Sequence, residues 1–189
     1  MSDARLEILM VRHAHAEWVP DESRPLSPRG RRDAETIARR LAGTPLDAIY
    51  SSPYPRALQT VEPLAERVGL EIAVLDGLRE RTLADGAVDD FPAAMRACWD
   101  DLELSFPGGE TSVAALGRFS RAVDRIVAGH ASGTVAVATH GNILGLWLQD
   151  QDPAYDYHFW SRMTWPDLYR VALADGRLVE VERLWDASP

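Results

Sequence analysis

The chain alternates short apolar runs with longer stretches in which apolar residues recur every three or four positions. Leu6-Glu7-Ile8-Leu9-Met10-Val11 is a run of the first kind and reads as a buried strand. Ala48-Ile49-Tyr50-Ser51 and Glu71 to Leu75 read as a second and a third strand, and Thr134 to Ala138 (TVAVA) as the clearest buried strand in the chain. Helical patterns lie between them. Ser27-Pro28 offers an N-cap side chain followed by proline at the first helical position. Ala34, Ile37, Ala38 and Leu41 then share one face, and Gly43 is placed to end that helix. Pro55 opens a second helix, with Leu58, Val61, Leu64, Ala65 and Val68 as its stripe and Gly69 at its end. The stretch from Asp76 to Glu110 is less regular and holds one predicted helix, from Phe91 to Leu102. Val113, Leu116, Phe119, Val123, Ile126 and Val127 mark a long amphipathic helix, and Asn142 to Leu148 marks another. Leu168 to Leu173 and Leu178 to Val181, around Asp175-Gly176, read as a hairpin that closes the sheet edge. This alternation predicts an α/β fold: a three-layer α/β/α sandwich with helices on both faces of a mainly parallel central sheet.

Length and composition narrow the picture. The 189 residues fit one domain spanning 1–189 with a substantial core, and no repeat or linker interrupts them. A net charge of −9 argues against nucleic acid and anionic membranes as partners, since both attract a basic surface. All 20 basic residues are arginine, so lysine chemistry such as a P-loop or a Schiff base is excluded. Cys98 is the single cysteine; no intrachain disulfide can form, which fits a reducing cytosol. It falls on the face of Phe91, Met95 and Leu102 and reads as a small core hydrophobe. The first apolar run, reached directly from Met1-Ser2-Asp3-Ala4-Arg5, is too short for a signal-peptide core or a membrane span. The expectation is a cytoplasmic protein.

Candidate chemistry gathers at the strand ends. Arg12-His13 follows the first strand, where a charged and a titratable residue have little structural reason to be. Ser51-Ser52-Pro53-Tyr54-Pro55-Arg56-Ala57 follows the second strand and places Arg56 in the first turn of a helix. That end of a helix favours anions, so an arginine there makes more sense beside a bound anion than alone. Glu80 follows the third strand within Gly77-Leu78-Arg79-Glu80-Arg81, and Thr139-His140-Gly141-Asn142 follows the TVAVA strand just before a helix. In a parallel sheet these strand ends lie along one rim, where ligands bind. Each residue alone has a plain explanation: Arg56 a solvated charge, His140 a core histidine, Glu80 a surface ion pair. Arg12 and His13 resist one, and the set together points to chemistry on a phosphate. His15 is peripheral by this reading, His130 structural at a helix C-terminus, and His158 a packing residue in the aromatic stretch from Tyr155 to Trp160. No His/Cys spacing indicates zinc, Asp85, Asp89 and Asp90 lack a calcium-loop pattern, and there is no Gly-x-Ser-x-Gly.

These residues resemble the histidine phosphatase superfamily, also called the phosphoglycerate mutase-like family. LMVRHAHAEW is similar to its signature, PLSPRGRRDAETIARRL to the helix after its first loop, and SSPYPRALQT to its second motif. GLRE is similar to its acid motif, FPGGET to the loop before its long helix, and ATHGN to its second-histidine motif. The resemblance runs from about Leu6 to Leu148. It implies His13 as the nucleophile that becomes phosphorylated, Arg12, Arg56 and His140 as binders of the phosphate oxygens, and Glu80 as general acid and then base. It implies no metal and no cofactor, and a small phosphorylated metabolite as the partner.

Two departures bear on activity. Ala14 stands where many members have Gly, a mild change. Val19 follows Trp18 where many members place Asn, which weakens the case for a mutase. The segment between Glu80 and Gly108 is short and fairly apolar, holding Leu83, Phe91, Met95 and Trp99, and is read as a lid over about 81–108. The expectation is therefore a metal-independent phosphomonoesterase. The alternatives are a phosphoglycerate mutase-type phosphotransferase, a protein phosphohistidine phosphatase and a non-catalytic phosphate-binding module. Oligomeric state stays open, with Tyr155 to Trp165 readable as core or as interface.

Overall fold

The computed structural model describes residues 5–19 and 21–186; Met1 to Ala4, part of the N-terminal reading, lie outside them. Strands β1 (Arg5–Arg12), β2 (Ala48–Ser51), β3 (Ile72–Val74), β4 (Gly133–Thr139), β5 (Asp167–Ala174) and β6 (Arg177–Arg183) form one sheet in the order β3-β2-β4-β1-β5-β6. The pairings β3/β2, β2/β4 and β4/β1 are parallel, and β1/β5 and β5/β6 are antiparallel. The helices are α1 (Pro28–Leu41), α2 (Pro55–Val68), α3 (Phe91–Asp100), α4 (Ser112–Gly129), α5 (Gly141–Gln151) and α6 (Tyr157–Ser161).

The layers follow from strand periodicity, since successive residues of a strand point to opposite faces. Ile8, Met10, Val135 and Val137 point one way, into a core shared with Phe119, Val123 and Ile126 of α4 and Ile143 and Leu144 of α5. Leu9, Val11, Ala136 and Ala138 point the other way, onto Ile37, Ala38 and Leu41 of α1 and Val61 and Leu64 of α2. β1 and β4 are covered on both faces, which is why they read as continuous apolar runs. The fold is the expected α/β/α sandwich.

Local signals act as anticipated. The Ser27 side chain accepts a bond from the Gly30 amide, 3.1 Å, and Pro28 is the first helical residue of α1. α2 ends on Gly69 at φ 72°, a conformation that glycine adopts without strain. The β5/β6 hairpin turns at Asp175-Gly176, both at positive φ, as a primed two-residue turn requires. Other expectations shift. α1 ends one residue before Ala42 rather than at Gly43. A 3₁₀ turn at Asp76–Leu78 and the short α6 were not anticipated. Phe91, expected on the buried face of α3, is 53% exposed as the helix's first residue. Among the described residues no helix is long and apolar enough to cross a membrane.

Candidate active site

Arg12 is the last residue of β1 and pairs with Thr139, the last of β4. The two strands run parallel, so the residues that follow them emerge side by side. The His13 amide donates to the Thr139 carbonyl at 3.0 Å, and the Ser52 amide, just past β2, to the Ala138 carbonyl at 2.9 Å. The rings of His13 and His140 meet edge to face with centroids 5.1 Å apart.

The geometry specifies how His13 is protonated. Its Nδ1 lies 2.8 Å from the Ala14 carbonyl, which can only accept, so Nδ1 carries the proton and Nε2 the lone pair. Ala14 is held in turn, its amide donating to Thr60 Oγ1 at 3.0 Å. Burial, then the charge of Arg56, push the His13 pKa well below its ordinary value; Arg12 and Arg24 push the same way and the bond to Ala14 opposes them. His140 is pushed down similarly, by burial and by His13, Arg56 and Arg12. Its Nε2 is 2.8 Å from Ser52 Oγ, while Nδ1 is buried with no partner among the described residues.

Arg12 is closely packed. Trp165 covers one side of the guanidinium, 4.0 Å from ring centroid to Cζ. Gly141 also lies against it: an added Cβ there would stand 2.5 Å from Arg12 Cζ. One terminal nitrogen donates to the Met163 carbonyl at 3.0 Å, whereas Nε is buried with no partner among the described residues. Burial lowers the Arg12 pKa to about 10, against the charges of Glu80 and Asp167, so the side chain remains a cation at neutral pH.

Arg56 is also buried and stacks on Tyr54 at 4.6 Å; Tyr54 in turn meets the His140 ring edge to face at 5.1 Å. Its guanidinium donates to the Glu22 carboxylate at 2.8 Å. Glu80 reaches the N-terminus of α5. Its Oε1 accepts from the amides of Arg81 and Ile143, both at 2.9 Å, and its Oε2 from the amide of Asn142 at 3.0 Å.

The structure thus brings Arg12, His13, Arg56, Glu80 and His140 into one cluster. His15 stays at its margin, bonded to Ser27 Oγ at 2.9 Å. His130 bonds the Tyr50 hydroxyl at 2.9 Å, away from the rim. His158, expected as packing, is instead exposed on α6, because that short helix lies on the surface. Ser52, Tyr54, Asn142 and Trp165 also shape the site. The first three sit within motifs already singled out; Trp165 has no local signal. Open concavities of about 440 Å³ at the α2–β3 junction and about 230 Å³ beside β6 do not touch this cluster.

Residues 8–175 match the profile of the histidine phosphatase superfamily, branch 1. The chain belongs to this superfamily. It is 28% identical over 149 residues to phosphoserine phosphatase 1 of Hydrogenobacter thermophilus, covering 71% of each. It is 30% identical over 155 residues to phosphoglycerate mutase-like protein 4 of Arabidopsis thaliana, covering 73% of this chain and 67% of that protein. A bifunctional protein of Mycobacterium tuberculosis is 31% identical over 150 residues, 70% of this chain but only 40% of its own length. Among solved structures, Bacillus stearothermophilus YhfR superposes with a TM-score of 0.80 at 28% identity, over 97% of this chain and 98% of that one. A mycobacterial glucosyl-3-phosphoglycerate phosphatase bound to inorganic phosphate superposes at 0.78 and 25% identity, over 98% of both chains. With this membership, this histidine phosphatase is an enzyme of phosphatase type.

Proposed function

We propose that this histidine phosphatase hydrolyses small phosphomonoesters without a metal, through a phosphohistidine on His13. The observation that carries this reading is the His13 tautomer: its Nδ1–H is spent on the Ala14 carbonyl, which leaves the Nε2 lone pair as nucleophile. Depression of its pKa keeps that lone pair free of protons near neutrality. Phosphoryl transfer asks for an in-line nucleophile and positive charge around the equatorial oxygens. The free Nε edge of Arg12 and the guanidinium of Arg56 supply that charge. If the Ser52 hydroxyl donates to His140 Nε2, the unpartnered Nδ1–H of His140 is left to donate to a third oxygen.

The reaction divides into two displacements. His13 Nε2 forms a bond to phosphorus as the ester P–O bond breaks, and Glu80 hands a proton to the leaving oxygen. Glu80 then takes a proton from water, whose oxygen attacks phosphorus as the P–N bond breaks, releasing inorganic phosphate and restoring His13. Small phosphorylated metabolites fit as substrates, since the named relatives include phosphatases of phosphoserine and of glucosyl-3-phosphoglycerate. The lone cysteine supports a cytoplasmic setting, and the single sheet supports one domain over 1–189.

Metal-free protein is incubated with a chromogenic phosphate ester and quenched. The expected result is an acid-labile, base-stable phosphate on His13 that His13→Ala lacks. Turnover that requires a metal, or full activity in His13→Ala, overturns the reading.

A further inference from the structure

α3 begins beyond the candidate rim, yet two consecutive residues near its end, Cys98 and Trp99, each reach a neighbour of Glu80. Both are buried, 0% and 7% exposed. The Trp99 indole Nε1 donates to Asn142 Oδ1 at 3.0 Å. One residue back, Cys98 Sγ accepts from a terminal nitrogen of Arg81 at 2.8 Å. The other terminal nitrogen of Arg81 donates to Ser112 Oγ at 2.8 Å, and Ser112 Oγ donates to the Cys98 carbonyl at 3.2 Å. Arg81 and Asn142 are two of the three residues whose amides hold the Glu80 carboxylate.

The two carboxylate oxygens are not equivalent. Oε1 accepts from the amides of both Arg81 and Ile143, whereas Oε2 accepts only from Asn142. A carboxylate oxygen offers about two lone-pair positions. Oε1 is therefore saturated and Oε2 retains one, which makes Oε2 the atom that can carry a transferable proton. Its single bond comes from the residue that Trp99 grips. The indole is packed among aromatic rings: the Trp99 ring lies on Trp160 with centroids 5.9 Å apart and an interplanar angle of 30°, and Tyr157 meets it edge-on at 6.3 Å. A buried indole N–H needs an acceptor, and Asn142 Oδ1 is the one it has.

We infer that Trp99 and Asn142 are positioning residues for the general acid: through its bond to Asn142, α3 fixes the first turn of α5 and with it the proton-carrying Oε2 of Glu80. This rests on the reading of Glu80 as acid and base. Trp99 acts through Asn142 and contributes to the proton-transfer step, while phosphate binding by Arg12, Arg56 and His140 is independent of it.

The test compares kcat/KM for an alkyl phosphate, whose leaving group needs a proton, with that for p-nitrophenyl phosphate, whose leaving group does not. Trp99→Phe deletes the N–H and keeps an aromatic ring. It is expected to lower kcat/KM for the alkyl ester about tenfold, part of the ~10²–10⁴ that a positioned acid supplies, and to change the aryl ester less than about twofold. Asn142→Ala leaves the indole packing in place and is expected to show the same discrimination, so it carries the test if Trp99→Phe does not fold. The double variant is expected to be no worse than Asn142→Ala alone, because both remove one bond. Glu80→Gln is run in parallel. If it discriminates between the esters but neither Trp99→Phe nor Asn142→Ala does, or if those two slow both esters equally, the inference is overturned and the role of Glu80 stands. If Glu80→Gln itself does not discriminate, the reading of Glu80 fails and the inference falls with it.

Discussion

The segment from Glu80 to Glu110 and the loop from Ala14 to Ser27 both border the histidines, and they are held in different ways. The first is drawn into the interior. Arg81, Met95, Cys98 and Trp99 are buried, and the Glu110 amide donates to the Thr82 carbonyl at 2.8 Å. The Glu110 carboxylate accepts from Arg118 at 2.9 Å and from the Thr82 amide at 3.1 Å. The second loop is pinned at its base, where the Ser27 amide donates to the His15 carbonyl at 3.0 Å and the Glu17 amide to Pro25 at 2.9 Å. Beyond that base it exposes Trp18, which is 76% accessible, and sends Glu22 onto Arg56. Residues whose polar groups are bonded in the interior are set before a substrate arrives, which favours catalysis by preorganised dipoles. Exposed residues with few ties are free to respond to what binds. The sequence reads the first segment, over about 81–108, as a lid. In the structure Trp99 is buried, whereas Trp18 is exposed and Glu22 and Arg24 are half-buried in the other loop.

The sharpest way to break this contrast is to disturb the preorganised side. Gly141→Ala puts a methyl where the Arg12 guanidinium lies, and the expected loss in kcat is about 10²-fold, as for a misplacement of roughly 1 Å. Steady-state kinetics with an unchanged circular dichroism spectrum checks it; retained activity would mean that the close packing of Gly141 on Arg12 is not needed.

Next comes the anchoring of the Glu80–Glu110 segment. Despite burial, which opposes it, the bonds from Arg118 and Thr82 hold the Glu110 carboxyl below its ordinary range. Glu110→Gln is expected to lower stability by about 1–3 kcal/mol in urea titration at pH 7, the range for bonds to a charged group. Because the folded pKa lies below the unfolded one, the difference between variant and parent shrinks as pH falls through the carboxylate range. A gap that stays constant with pH would rule out the ionic origin.

The rim predicts a separate acid sensitivity. His13 and His140 are both pushed below the usual imidazole range. As pH falls below about 6.5 the unfolded chain binds protons that the fold still refuses, so stability declines there. NMR titration of the ring signals is expected to show both imidazoles neutral at pH 6; an imidazolium at His13 at that pH would remove the free-nucleophile argument.

The open loop predicts the smallest effect. Glu22 places a carboxylate on the guanidinium that is to receive a phosphate, and being 45% exposed it contributes little to stability. Glu22→Gln is expected to lower KM about two- to fivefold with kcat unchanged, the scale of an exposed ion pair. A change in kcat as large as that in KM would move Glu22 to the preorganised side of the comparison.

Much of the fold was legible because its signals are local. Ser27-Pro28, Gly69 and Asp175-Gly176 act through their own backbone or the next turn, and each does in the structure what the sequence implies. α6 and the 3₁₀ turn at Asp76–Leu78 were not legible, since elements this short carry no periodicity and are set by what they pack on. In the candidate site, Arg12, His13, Arg56, Glu80 and His140 stood out as polar residues at strand ends. The contacts that hold them did not. Trp165 over Arg12, Glu22 on Arg56 and Trp99 on Asn142 join residues far apart in the chain.

The amino-acid sequence by itself determined the alternation of strands and helices, the caps and turns, and which residue types follow each strand, because neighbours within a few positions decide these. Only the tertiary structure decided what surrounds each of them. β5 runs antiparallel to β1 with Arg12 opposite Asp167, and this register alone carries Trp165, two residues before Asp167, to the face of Arg12. α3 likewise meets Asn142 because the long connection from β3 folds inward over α5. Strand order and the path of a connection arise from burying the whole set of apolar faces at once, and no short stretch of sequence contains that choice.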